Sequence, residues 1–409
     1  MDLGLARDEE INIKEYDPIQ HRIRCIGHIL NLAAQALISP EDDNDALLPR
    51  NNDGVSLVPS KEEIEKWRKK GPLGKLHNIA VYIQRSPQRL AEFEKYSNGK
   101  RIPRDNSTRW NSWYHMIDAA MAETVRPGII HFCTKYDDLS DQFLSHHDWQ
   151  MLGTFHRFLK YFDTATGRTQ GYHATVDRVL PTMEYILEQL EAGKKEFTGD
   201  EIMGPCINAA WGKIIKYYDI TDRSTTYTAS VVLNPTQKWQ AFSELQWSDE
   251  WITAARKQVG SLWEKEYKKK EPDALPGSIG IAADLELTDF DIWMESKRER
   301  VLDEDEYARY CSSQRIDLRK GVSFDARKWW SETSRRLEYP NLSKMALDLL
   351  SIPAMSASPE RLFSTAKLTV TDRRNRLSPQ GIEALECLKS WYKIGRLGDN
   401  MEFTQPGMQ

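Results

Sequence analysis

Cys25 and His28 stand in a Cys-x2-His arrangement, and both are zinc-ligand types. A structural zinc site takes four ligands, and the only third candidate nearby, His21, is poorly placed. The plainer reading is a buried thiol and a hydrogen-bonded histidine at a helix start. Glu360 is the next chemical candidate, in Ser358-Pro359-Glu360. Proline is favoured at the first helical position, and a carboxylate in the first turn is favoured by the helix dipole. Lys367, Arg373, Arg374 and Arg376 follow as a basic cluster. They either face phosphates or form a solvated face paired with Asp372 and Glu383. Ile382, Leu385, Leu388 and Trp391 recur at three-residue steps, an apolar stripe on a helix over 379–392. The stripe serves an intrachain core, a second subunit, or both, since a small C-terminal block has limited core of its own.

Composition narrows the classes. The chain has 409 residues, 40% hydrophobic and 29% charged, with net charge −5. That length holds about two or three domains. No apolar run reaches the roughly 18 residues of a membrane span, and no secretory leader is expected from the polar, acidic start. Whole-chain charge does not mark a basic nucleic-acid binder, although phosphate attraction depends on where Lys and Arg sit. The five cysteines, Cys25, Cys133, Cys206, Cys311 and Cys387, form no C-x2-C pair. They read as free thiols in a reducing compartment.

The elements that must position these groups are helical. Residues 25–38 have a wide apolar face at helical spacing and stop at Pro40. Ser60 and Glu63 resemble a capping box opening a helix over 61–70. The GPLG at 71–74 breaks it, and a second helix starts near Lys75 and runs to Gln84. Further helices are expected over 110–120, 148–165, 175–193, 203–218 and 247–270. The one strand candidate is Tyr227–Leu233, closed by Asn234-Pro235. Residues 266–320 read as a charged linker, within which 289–309 is a candidate solvated helix, and 321–395 as a compact block, followed by a tail over 396–409.

Three segments, in order, resemble the hAT transposase superfamily. They are HRIRCIGHILNLAAQALI at 21–38, STRWNSWYHMI at 107–117, and WW at 329–330 followed by YPNLSKMALDLLSIPAMSASPERLFSTAKLTVTDRRNRLSPQGIEALECLKSW at 339–391. The last is similar to the family's C-terminal dimerisation region along its length. A weaker likeness, SVVLNPTQKW at 230–239, resembles an "LDPRxK" element.

The resemblance implies a mainly α fold: an α-helical insertion domain plus the C-terminal part of an RNase H-like transposase core, with little strand. Residues 1–60 are then a remnant of that core with an exposed loop, 61–265 the helical insertion-like region, and 321–395 the dimerisation region. It implies that Glu360 matches the last of three catalytic carboxylates, which hold two Mg2+ ions about 4 Å apart. Asp8 and Asp17 do not follow strand-like runs and make poor matches to the other two. The chain alone is therefore expected to carry no cofactor and not to cut DNA, and to be the C-terminal part of a longer ancestor. By the same resemblance Trp110 stacks on a flipped base, or packs as a core aromatic. Arg109, Arg361, Arg373 and Arg374 contact DNA, and Leu362 and Phe363 join the apolar stripe in dimerisation. The expected partners are a second copy and DNA, with no membrane and no small-molecule substrate, and the expected location is the nucleus. The alternative is a domesticated DNA- or chromatin-associated regulator that uses the same dimerisation region.

Overall fold

The structure is a computed structural model and describes residues 22–40, 71–104, 110–171, 174–221, 223–268, 293, 305–317, 324–356 and 378–393. Among these the architecture is helical, and the only sheet-like pairing is an isolated antiparallel bridge between Thr175 and Pro353. Contacts divide the chain into two units, 1–354 and 355–409. The boundary falls inside the 321–395 segment read from sequence.

The first unit is organised around α1, Ile26–Ile38, which buries Ile26, Ile29, Leu30, Ala33, Ala34 and Leu37 on nearly all sides. A helix apolar almost all round belongs inside a protein. Around it lie α2 (Pro72–Gln84), α3 (Pro87–Tyr96), α4 (Trp110–Met121), α5 (Arg126–Lys135), α6 (His146–Thr169), α7 (Val179–Glu196) and α8 (Met203–Thr221). The closest packing is α1 on α8, α8 on α7, and α7 on α6. The GPLG segment starts α2, and the helix read over 61–70 lies outside the described residues. Gly71 is the N-cap and Pro72 the first helical residue, where its missing N–H costs nothing. A capping box opens α6: Ser145 Oγ accepts from Asp148 N, and the Asp148 carboxylate accepts from Ser145 N. Its stripe of Leu152, Phe155, Leu159 and Phe162 then follows helical spacing into the core.

α7 approaches α6 so closely at Gly193 that an added Cβ would sit 2.5 Å from the Phe158 ring. Phe158 is buried, so the ring has little room to retreat. Gly193→Ala gains helix propensity of about 1 kcal/mol but forces overpacking of about 1–3 kcal/mol. A net loss is expected in urea unfolding, and a gain in stability would contradict this packing.

At α3 and α5, Glu92 accepts from Lys135 Nζ at 2.5 Å and Tyr136 OH at 2.7 Å. The Lys135 and Tyr136 hydrogen bonds hold its carboxyl down at about 2, below an ordinary glutamate. A depressed carboxyl stabilises the fold above its unfolded value of about 4.3, and that contribution disappears as pH falls toward about 2. Glu92→Gln is therefore expected to flatten the acid limb of the stability curve between those two values. An unchanged limb would remove Glu92 from the acid response.

The expected strand at 227–233 is a helix. Residues Thr225–Leu233 form α9, with every side chain from Tyr227 to Leu233 buried. A short, wholly buried segment shows no periodicity that separates strand from helix. Here packing against α7, α11 (Asp249–Leu262) and α15 (Pro340–Leu350) overrides the β-branched composition. Between α9 and α11 lies the short α10 (Gln240–Glu244), and α11 ends in a π turn at Trp263–Tyr267. Within the segment read as linker, Glu306–Ser312 form α12, with Tyr310 fully buried. Then come α13 (Ala326–Ser331), α14 (Thr333–Glu338) and α15. The second unit contributes α16, Pro379–Lys393.

Candidate dimerisation region and its docking site

Residues 305–354 are held on the helical body by groups that converge from several elements. Lys238 is the centre. It follows α9 in the LNPTQK segment, with φ at +51° and a side chain 2% exposed. Its ammonium donates to Tyr310 O (2.7 Å), Ser313 O (2.8 Å) and Ser313 Oγ (2.7 Å). These carbonyls lie at the C-terminal end of α12, where a cation is favoured by the dipole and satisfies orphan acceptors. Burial lowers the Lys238 pKa from its ordinary value.

The same segment supplies further acceptors. Tyr310 OH donates to Val232 O at 3.0 Å, Trp330 Nε1 to Leu233 O at 2.7 Å, and Ile316 N to Pro235 O at 2.9 Å. Tyr310, Trp330 and Tyr339 pack edge to face or tilted, within 6.0 Å of one another. Asn234 Nδ2 reaches back to the buried Asp177 at 2.7 Å, which also accepts from Thr175 Oγ1. Burial pushes the Asp177 carboxyl above its usual range.

Two carboxylates open the helices of this region. Asp305 caps α12 through Tyr307 N and Ala308 N, and also accepts from Trp263 Nε1 and Lys268 Nζ. Burial pulls its pKa up, but Lys268 and the backbone donors outweigh this and leave it low. Glu306 accepts from Asn341 N and Leu342 N and so caps the start of α15, although burial raises its pKa. On the far side, Val176 N donates to Ile352 O, Ala354 N to Ala174 O, and Ile26 N to Ala354 O.

α16 carries the stripe residues. Leu385 is 37% exposed, Trp391 46% and Tyr392 68%, while Ile382 and Leu388 are half-buried. In an α-helix each three-residue step turns back by about 60°, so the stripe winds. Leu385, Leu388 and Tyr392 share one side, and Ile382 and Trp391 flank it on opposite edges. Glu386 is buried and pairs with Lys389 at 2.6 Å. Sequence spacing alone did not single out Tyr392.

The other candidates fall in different places. Trp110 is 3% exposed, with its ring 6.0 Å from Phe162 and 6.5 Å from Tyr114. It sits in the core between α4 and α6. Cys25 is the N-cap of α1 and His28 lies in its first turn, exposed. Just before them, Arg24 N donates to Tyr227 OH at 2.8 Å. Among the described residues no three His, Cys, Asp or Glu come together as a metal site, so the Cys25–His28 pair gains no further ligand there. Arg109, Glu360, Arg361, Leu362, Phe363, Arg373 and Arg374 lie outside the described residues, as do Asp8 and Asp17. Among the described residues no helix is long and apolar enough to cross a membrane.

Known proteins give the architecture its class. The profile of a ZBED1 RNase-like helical domain matches residues 23–158, and that of the hAT family C-terminal dimerisation region matches 306–392. The second begins at Glu306, the residue that caps α15. A helical RNase-like region followed by such a dimerisation region defines a transposase-like protein. The chain belongs to the hAT superfamily of transposases and proteins derived from them. It is similar to the Putative transcriptional regulator tpeD of Talaromyces stipitatus, 26% identical over 394 residues, covering 92% of this chain and 42% of that protein. It is also similar to the Putative AC transposase of Zea mays, 23% identical over 412 residues, covering 92% of this chain and 44% of that protein. A third relative is Zinc finger BED domain-containing protein RICESLEEPER 2 of Oryza sativa subsp. japonica, 24% identical over 411 residues, 90% and 50% covered. The chain spans about half the length of these curated relatives.

Proposed function

We propose that this transposase-derived protein self-associates as a homodimer through its C-terminal region, with α16 in the interface. The observation that carries this is the apolar side of α16, where Leu385, Leu388 and Tyr392 stay open or half-open to solvent within the span matched by the dimerisation profile. Buried in a symmetric pair, each large apolar side chain contributes about 1.5–3 kcal/mol. Light scattering across the micromolar range is expected to give twice the mass of one chain, and a monomer at every concentration would overturn the reading.

DNA is the proposed partner and the nucleus the proposed location, both from the family. Strand cleavage is the ancestral reaction, with Glu360 as the matching carboxylate. A second reading, that of a domesticated regulator, draws on the printed name of the Talaromyces relative, which calls that protein a putative transcriptional regulator. The two are separated by incubating the purified chain with supercoiled DNA and Mg2+. Metal-dependent nicking supports retained transposase chemistry, and binding without nicking supports the regulator.

A further inference from the structure

The two ends of the span 269–304 meet. Lys268 Nζ, on one side, lies 2.9 Å from Asp305 Oδ2, on the other. Trp263 Nε1 donates to Asp305 Oδ1 at 3.0 Å, and Tyr267 OH to Asp348 at 3.0 Å. The chain thus leaves the body and returns to it at one closed base.

From that base, residues 305–354 grip the body through contacts of their own. The buried Lys238 ammonium holds the end of α12. Trp330, Leu342, Met345, Ala346 and Leu350 are fully buried. The backbones of Ile352 and Ala354 bond to residues near both Thr175 and Ile26. None of these interactions passes through 269–304.

We infer that residues 305–354 form an autonomous docking element, whose surface fits the groove around α9 in trans as well as in cis. Its partner is the helical body of this same chain, and the covalent connection through 269–304 is not what holds it there. Covalent connection of the two pieces supplies an effective concentration on the order of millimolar. Cutting it therefore weakens the joint by roughly 1,000-fold at micromolar protein, which a buried aromatic and cation interface of this kind outlasts. The inference does not depend on self-association, because it concerns retention of the N-terminal piece rather than the number of copies.

The experiment uses the full chain with a specific protease site inserted after Gly277. The folded protein is cut, then run on native size exclusion at micromolar concentration. Both pieces are expected to co-elute at the uncut position, with the helical circular dichroism unchanged, and to separate only in denaturant. Elution of the N-terminal piece by itself would overturn the inference. In the cut protein, Lys238→Met, which keeps the stem but removes the three donors, is expected to raise the dissociation midpoint concentration at least tenfold. Retention unaffected by Lys238→Met would place the grip outside α12 and overturn the inference as well. Should that variant fail to fold, the cut wild-type chain decides the matter.

Discussion

Lys238→Ala is expected to lower the stability of the first unit by about 3 kcal/mol, the largest loss from any single polar side chain described here. Hydrogen bonds from a charged donor are worth about 1.5–3 kcal/mol each, and Lys238 makes three, to Tyr310 O, Ser313 O and Ser313 Oγ. The sum is not taken in full, because returning the ammonium to water recovers part of its desolvation and bonds that share a donor are not additive. What remains is two carbonyls and a hydroxyl at the end of α12, stripped of their cation in a site where Lys238 was 2% exposed. The backbone adds independent support. Lys238 holds φ at +51°, a left-handed conformation that costs a non-glycine residue about 1–2 kcal/mol. A lysine there makes physical sense when its side chain returns more than glycine would save. Lys238→Gly relieves that strain and is therefore expected to be less harmful than Lys238→Ala by about 1 kcal/mol, while both lose the grip. Thermal unfolding followed at 222 nm is the measurement. At about 2–4 °C per kcal/mol for a unit of this size, Lys238→Ala should melt roughly 6–12 °C lower. A drop of less than about 1 kcal/mol would show that the three bonds merely replace equivalent ones to water.

That role was not legible in the sequence, and the reason is physical. LNPTQKW resembled a family element, but its lysine finds its acceptors 72 and 75 residues away, a distance no local pattern encodes. Amphipathic helices were legible: 26–38, 110–121, 146–169 and 203–221 all lie close to where apolar spacing put them. α9 was not, because a helix buried on every side presents the same unbroken apolar run as an inner strand. α12 was hidden for the opposite reason. Its charged surroundings outweighed a short local signal, an Asp305 N-cap followed by Tyr307, Tyr310 and Cys311 at helical spacing. Trp110 illustrates a third limit. A motif names a residue, but only packing shows that its ring lies against Phe162 in the core. The resemblance supplied the family and the order of its elements, and the structure supplied how the dimerisation region is fastened to the helical body.

Leu385→Asp/Leu388→Asp should convert a dimer into a folded monomer, raising the dissociation constant at least about 100-fold. The two positions lie on one side of α16, about 60° apart, so the charges enter one patch rather than two. In a symmetric pair each copy contributes both, and four carboxylates would have to leave water together. An unpaired buried charge costs several kcal/mol, and like charges brought face to face add to it. Within a single chain the same change is mild. Leu385 is already 37% exposed and Leu388 half-buried, and aspartate in place of leucine lowers helix propensity by less than about 1 kcal/mol per position. The difference between these two magnitudes makes the variant informative: association fails well before the helix does. Equilibrium sedimentation beside far-ultraviolet circular dichroism reads both at once. A monomer with wild-type helicity places the interface on this side of α16. A variant that keeps the wild-type mass would remove α16 from the interface and leave Leu385, Leu388 and Tyr392 as an exposed edge of the second unit's own packing.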